Sequence, residues 1–113
     1  MELRCYESVV IFVPELEDSQ LEEQVEWVKG LLEKGGARLV DVENWGKKRL
    51  AYEIEKRREG YYVLFRFRAQ GSLVEELEKN YRLNGKVLRY LTVKRKDAEC
   101  ERAEQPGESG GEE

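Results

Sequence analysis

A chain of 113 residues, 39% of them charged and none of them histidine, has room for one small domain with a two-layer core and no imidazole for acid–base or metal chemistry. Its net charge of −4 is unevenly spread: residues 97–113 carry seven acids against Arg102 alone, whereas residues 1–96 hold 19 bases against 17 acids. No basic stretch leads into an apolar one at the start, and the apolar run 9–13 is far too short to span a bilayer, so a soluble cytosolic protein with no membrane attachment is expected.

The first strand is expected over residues 6–13 (YESVVIFV), rich in β-branched and aromatic residues and stopped by Pro14. Tyr6, Val10 and Phe12 share one face, and Val9, Ile11 and Val13 the other, the pattern of a central strand. A helix follows, opening at Ser19 with Glu22 three residues on as a capping box. Leu21, Val25, Val28 and Leu32 form its buried stripe, and Gly35-Gly36 ends it. Segment 14–34 is acidic, with seven acids against Lys29 and Lys34. The rest of the body is therefore basic enough to attract phosphate.

Residues 37–54 read as one long extended segment with a bulge or bend at Gly46. KRREG (56–60) reads as the turn and YYVLFRFR (61–68) as the return strand. Tyr61, Val63, Phe65 and Phe67 point to a core, while Tyr62, Leu64, Arg66 and Arg68 make an amphipathic second face. A second helix is expected from Ser72, with Glu75 completing a capping box and Val74, Leu77 and Tyr81 inward. Asn84-Gly85 marks a turn before a last strand over 86–96. Beyond Asp97 the chain is acidic and Gly-rich and is expected to be a disordered tail, 97–113.

Two such helices can cover one face of a four-stranded sheet. With right-handed crossovers this gives an α+β fold, the ferredoxin-like split βαβ (βαββαβ), antiparallel, with strand order 4-1-3-2. The other face has no cover of its own, and Val9, Ile11, Tyr62 and Leu64 would make it an apolar interaction surface.

Cys5 and Cys100 stand near opposite ends with no C-x-x-C spacing, which supports neither a zinc site nor a redox motif. No nucleophile stands beside a base and no phosphate-cradling Gly-rich loop is present. The expectation is a binding protein with no catalytic residues, cofactor, metal or small-molecule substrate. Arg4, Tyr6, Arg89, Lys94 and Arg95, from the neighbouring first and last strands, are the candidate phosphate contacts. Lys47, Lys48 and Arg49 on the edge strand and Lys56, Arg57 and Arg58 at the hairpin tip are further cations, while Asp41, Glu43, Lys47 and Lys48 also fit protection of an edge strand. Arg66 and Arg68, facing Glu43 or Glu53, read as cross-strand pairs. The RNA recognition motif shares the topology, but Glu59, Tyr62 and Arg66 depart from its third-strand signature. The charged composition without histidine would suit a thermophile.

The stretches RCYES, KGGARLVDVENWGKKRLAYEIEKRREGYYVLFRF and NYRLNGKVLRYLTVKR resemble bacterial small-subunit ribosomal protein six over about residues 3–96. Trp-Gly, a basic cluster, Leu-Ala-Tyr and then Gly-Tyr-Tyr are the specific part. The resemblance implies a ferredoxin-like domain, 1–96, that pairs with ribosomal protein eighteen to bind the small-subunit (16S) ribosomal RNA in the cytoplasm. It implies RNA contacts at Arg4, Tyr6, Arg89, Lys94 and Arg95, and partner contacts at Trp45, Arg49, Tyr62 and Leu64. The chain departs from the family pattern at Cys5, a place often basic, and at Glu53, where proline is common. The alternative is a ferredoxin-like regulatory or dimerisation module using the same open face.

Overall fold

The computed structural model of the chain describes residues 2–104. The elements are β1 (Arg4–Phe12), α1 (Asp18–Lys34), β2 (Arg38–Ile54), β3 (Arg57–Ala69), α2 (Gly71–Leu83), β4 (Val87–Arg95) and α3 (Asp97–Ala103). The strands form one antiparallel sheet in the order β2-β3-β1-β4. This is the ferredoxin-like arrangement the sequence predicts, with β1 and β3 central. Among the described residues no helix is long and apolar enough to cross a membrane.

Alternation along the central strands sorts the core. Val10 and Phe12 of β1 and Val63, Phe65, Phe67 and Ala69 of β3 are buried against Leu21, Val28 and Leu32 of α1 and Leu73, Leu77 and Tyr81 of α2. One polar residue lies among them. The Ser8 hydroxyl is fully buried, 2.9 Å from the Tyr81 hydroxyl, and accepts a bond from Thr92 Oγ1 at 2.9 Å. Burial pushes the Tyr81 phenol pKa up, so it stays protonated and the buried pair is satisfied.

Both helices start earlier than their capping signals predict. The cap of α1 is Glu17, whose N–H donates to Gln20 Oε1 at 2.8 Å. Leu16 just before the cap and Leu21 four residues into the helix are buried in the same core. That hydrophobic pair fixes the entry and overrides the Ser19/Glu22 signal. Helix α2 begins at Gly71, and its buried stripe is Leu73, Leu77 and Tyr81 with Val74 half-buried.

Two glycines shape the long hairpin. The β2–β3 register shifts between Asn44 and Gly46, Gly46 has φ +83°, and its N–H donates to Asn44 Oδ1 at 2.9 Å. This is the expected bulge. Gly60 sits where β3 crosses the end of β1: a Cβ there would run into the Ile11 side chain and lie 3.1 Å from the Phe12 carbonyl oxygen.

The turn is tighter than the sequence predicts. Ile54 pairs with Arg57, leaving only Glu55 and Lys56 as the loop, and both have positive φ, 49° and 66°. A two-residue hairpin loop needs that backbone to match the strand twist, and usually recruits Asn-Gly for it. No such signal stands in KRREG, which is why the sequence pattern starts the strand at Tyr61 and the structure at Arg57. Lys56→Gly is therefore expected to raise the unfolding free energy by about 1 kcal/mol by relieving the left-handed backbone. A urea midpoint unmoved or lowered would refute this.

The tail expectation is corrected at its start. Residues 97–103 form α3 rather than a disordered segment, and the remainder of the predicted tail, 105–113, lies outside the described residues. No apolar periodicity marks α3 because it buries only Cys100.

Candidate nucleic-acid and partner interface

Strand register lays out the face of the sheet opposite α1 and α2 as four rows across β2, β3, β1 and β4. The first is Arg38, Arg68, Cys5 and Arg95; the second is Asp41, Arg66, Glu7 and Val93. The third is Glu43, Leu64, Val9 and Leu91; the fourth is Gly46, Tyr62, Ile11 and Arg89. The face thus runs from cationic, through an ionic band, to apolar.

Arg66 organises the second row. Its Nε donates to Glu7 Oε2 at 3.0 Å, and its Nη1 donates to Asp41 Oδ1 at 2.7 Å and reaches Glu43 Oε2 at 3.4 Å. Burial works against its charge, but the bonds to Glu7 and Asp41 outweigh that and hold its pKa above the ordinary value. The cross-strand pairing expected of Arg66 with Glu43 is present and is one spoke of a larger hub. Arg68 faces neither Glu43 nor Glu53; it pairs with α3.

The third and fourth rows are apolar and partly open. Leu91 on the edge strand β4 is 63% exposed, Val93 at the β4 end of the second row 37%, and Trp45 on the β2 side 41%. Trp45 stacks on Tyr62 with ring centres 6.5 Å apart and planes at 16°, and its indole N–H donates to Glu43 Oε1 at 3.0 Å. The bulge at Gly46 brings this ring onto the face. At the far end β2 curls over the sheet: Leu50, Tyr52 and Ile54 approach Ile11 and Tyr62, and Arg89 donates to the Tyr52 hydroxyl and lies over its ring.

The predicted partner residues do not all meet. Trp45 and Tyr62 are together on the open face. Leu64 is between them in register but nearly covered, at 4% exposure. Arg49 pairs with Glu59, which puts it on the helix side, away from the other three. Leu91 and Val93 were missed, although alternation in VLRYLTVKR carries them.

The predicted RNA residues divide between faces. Arg4, Tyr6 and Lys94 alternate to the helix side, where Tyr6 stacks on Phe67 with ring centres 5.8 Å apart. Arg89 and Arg95 lie on the open side. Arg4, Lys94 and Arg95 still meet at the sheet end, lining a shallow depression with Lys96, whereas Arg89 is remote from it. Tyr6 is half-buried, with one ring face taken up by Phe67.

Helix α3 closes the cationic end. A disulfide joins Cys5 to Cys100, both fully buried, with Cα atoms 5.9 Å apart, a pairing the sequence reading did not include. Arg68 donates to Glu104 Oε2 at 3.1 Å and to Asp97 Oδ1 at 3.3 Å, and Arg38 donates to Glu104 Oε2 at 2.8 Å. Arg95 lies 3.7 Å from Glu99 Oε2 and 3.6 Å from Glu7 Oε1.

The bond from Arg68, with help from Arg38, holds the Glu104 carboxyl below its ordinary value of 4.5. Arg102 and then Arg95 lower Glu99 in the same way. A carboxyl depressed in the folded state adds stability above its unfolded pKa and loses it as pH falls through the folded one. Docking of α3 is therefore expected to be constant near neutrality and to weaken as pH falls through and below 4.5. Amide exchange in residues 98–104 should accelerate over that interval, beyond the intrinsic pH effect and before the core opens. Protection that persists until global acid unfolding would contradict it.

The sequence profile of the ribosomal protein S6 family matches residues 5–94. The small ribosomal subunit protein bS6 of Phocaeicola vulgatus is 46% identical over 89 residues, 79% of this chain and 78% of that protein. The bS6 of Trichormus variabilis is 46% identical over 89 residues, 79% of this chain and 82% of that protein. The crystal structure of 30S ribosomal protein S6 from Thermotoga maritima superposes with a TM-score of 0.80 at 33% identity, over 95% of this chain and 99% of the other.

Proposed function

The chain belongs to the ribosomal protein S6 family, and on that premise we propose that it binds small-subunit ribosomal RNA jointly with ribosomal protein eighteen. As a family member it is a structural protein of the cytoplasmic small ribosomal subunit, not an enzyme. The partner docks on the apolar rows of the open face, against Trp45, Tyr62 and the exposed Leu91 and Val93. RNA phosphates meet the sheet end at Arg4, Lys94 and Arg95, with Arg89 reaching the same ligand from the partner's side.

The observation that carries this reading is the exposed apolar side chains flanking the third and fourth rows, Leu91 on β4 and Trp45 on β2, with Arg89 at their edge. A contiguous apolar patch on a small soluble domain marks an interaction surface, and guanidinium groups beside it can bind phosphate without reading bases. The lone domain presents few cations and should bind RNA weakly with a shallow salt slope. The pair should bind tighter and more steeply, since each phosphate neutralised adds roughly 0.7–0.9 to the slope.

The test is a titration of the small-subunit RNA fragment with the domain alone and with its partner, at several salt concentrations. Equal affinity in both would refute the reading. Leu91→Asp should lower the partner-dependent affinity by about tenfold or more, because it buries a charge in the joint surface. Its side chain is mostly exposed in the free domain, so unfolding free energy should shift by less than about 0.5 kcal/mol.

A further inference from the structure

We propose that α3 is an acidic cover, fastened by the Cys5–Cys100 disulfide, that competes with RNA for the arginines at the cationic end of the open face. The proposal rests on the RNA reading above and adds a regulated access to it. Three arginines of one row, Arg38, Arg68 and Arg95, each face a carboxylate of α3 or of Glu104, the residue that caps it. A guanidinium fork accepts carboxylate and phosphate oxygens alike, so these acids occupy sites that phosphates would fill. Beside them the depression lined by Arg4, Lys94, Arg95 and Lys96, with Glu2 and Asp97 at its rim, continues a surface with four cations to two acids around the sheet end. The combined strip suits an extended polyanion better than a single anion.

The helix has little else to hold it. It spans seven residues and buries one side chain, Cys100, and an isolated helix of that length is unstable in water. Its ion pairs to the sheet are mixed: Asp97 is 70% and Arg38 64% exposed, and such exposed partners contribute little each, while Arg68 at 13% and Glu104 at 29% form the one largely enclosed pair. The covalent link to β1, with the Arg68–Glu104 pair beside it, therefore keeps α3 in place. While it holds, the acids are an intramolecular competitor at high effective concentration. Once it is cut, α3 is joined to the domain only through the end of β4.

The opening step is thiol–disulfide exchange with an external dithiol. One thiolate attacks one protein sulfur, forming a mixed disulfide and releasing the other cysteine as a thiolate that takes up a proton. The second thiol of the reagent then closes on the mixed disulfide, releasing the second cysteine. The protein gains two electrons and two protons, and the dithiol becomes a cyclic disulfide. Both sulfurs are fully buried, so the reagent enters only when α3 frays.

The experiment compares the full chain, oxidised and then reduced with dithiothreitol, in binding a uridylate oligomer across a salt series. A third sample is oxidised Asp97→Asn/Glu99→Gln/Glu104→Gln, which keeps the bridge and removes the competing charges. The reduced protein should bind roughly tenfold tighter, with a salt slope steeper by about two for the three arginines freed. The triple variant should match it while still oxidised, and amide exchange in 98–104 should accelerate on reduction. Equal binding by the oxidised and reduced forms overturns the cover but not the RNA reading. A gain on reduction that the triple variant does not reproduce also overturns it, because competition by charge would not be the cause. No binding by any sample overturns the RNA reading, and the cover with it.

Discussion

Reduction of the Cys5–Cys100 bridge is expected to lower the unfolding free energy by about 4 to 5 kcal/mol, the value set by closure of a loop of nearly one hundred residues in the unfolded chain. The bridge spans 95 residues of sequence, so it restrains almost the whole of the described chain. The native side of the balance changes little. Release of α3 uncovers chiefly Cys5 and Cys100, and a thiol is a small group of modest apolar area. The unfolded side changes most: without the bridge it expands, which should also raise the dependence of stability on urea. Parallel urea unfolding of the oxidised and reduced forms gives both quantities. A loss below about 1 kcal/mol would mean that the unfolded chain is already compact without the link.

Arg66→Ala is expected to cost about 2 to 4 kcal/mol, toward the lower part of what breaking a buried pair costs because the site is only partly enclosed. The Arg66 side chain is 13% exposed and Glu7 beside it 16%, so removing the cation leaves a half-buried carboxylate facing Asp41 across the sheet. Arg66→Lys should recover only part of the loss, since one ammonium cannot span Glu7, Asp41 and Glu43 as the planar fork does. Replacing Arg66 and Glu7 together, by Met and Leu, should cost less than Arg66→Ala alone, because no buried charge is orphaned. Thermal or urea unfolding of the set decides it. If the double replacement is the worst of the three, the hub stabilises by more than mutual compensation of charge.

What could be read in the residues was what repeats. Alternation in YESVVIFV and YYVLFRFR assigned the central strands and divided their side chains between core and open face, and strand order followed from chain order and handedness. What could not be read was set by contacts between distant residues or by backbone shape. Leu16 packing beside Leu21 moved the start of α1. The Glu55-Lys56 loop adopts a conformation that neither residue type favours. Helix α3 buries a single side chain, Cys100, whose partner is at the other end of the chain, so no local pattern announces it. The candidate site was legible as a list of cations, but the list mixes two faces. Tyr6 and Lys94 point one way and Arg89 and Arg95 the other, which parity along β1 and β4 determines once the pairing is known. Leu91 and Val93 were legible by that same parity.

The bridge between Cys5 and Cys100 also makes residues 5–100 a closed ring. Backbone from β1 through to α3 forms the circuit, and the disulfide closes it at the point where both ends meet. A single cut in the polypeptide, for instance at the exposed hairpin tip between Glu55 and Lys56, would leave one molecule rather than two fragments. The cut protein would be a circular permutant in connectivity, starting at β3 and ending at β2, with the sulfur bond standing in for a peptide. Chain continuity across the sheet, and with it the alignment of the cationic and apolar rows, would survive loss of the backbone at the tip.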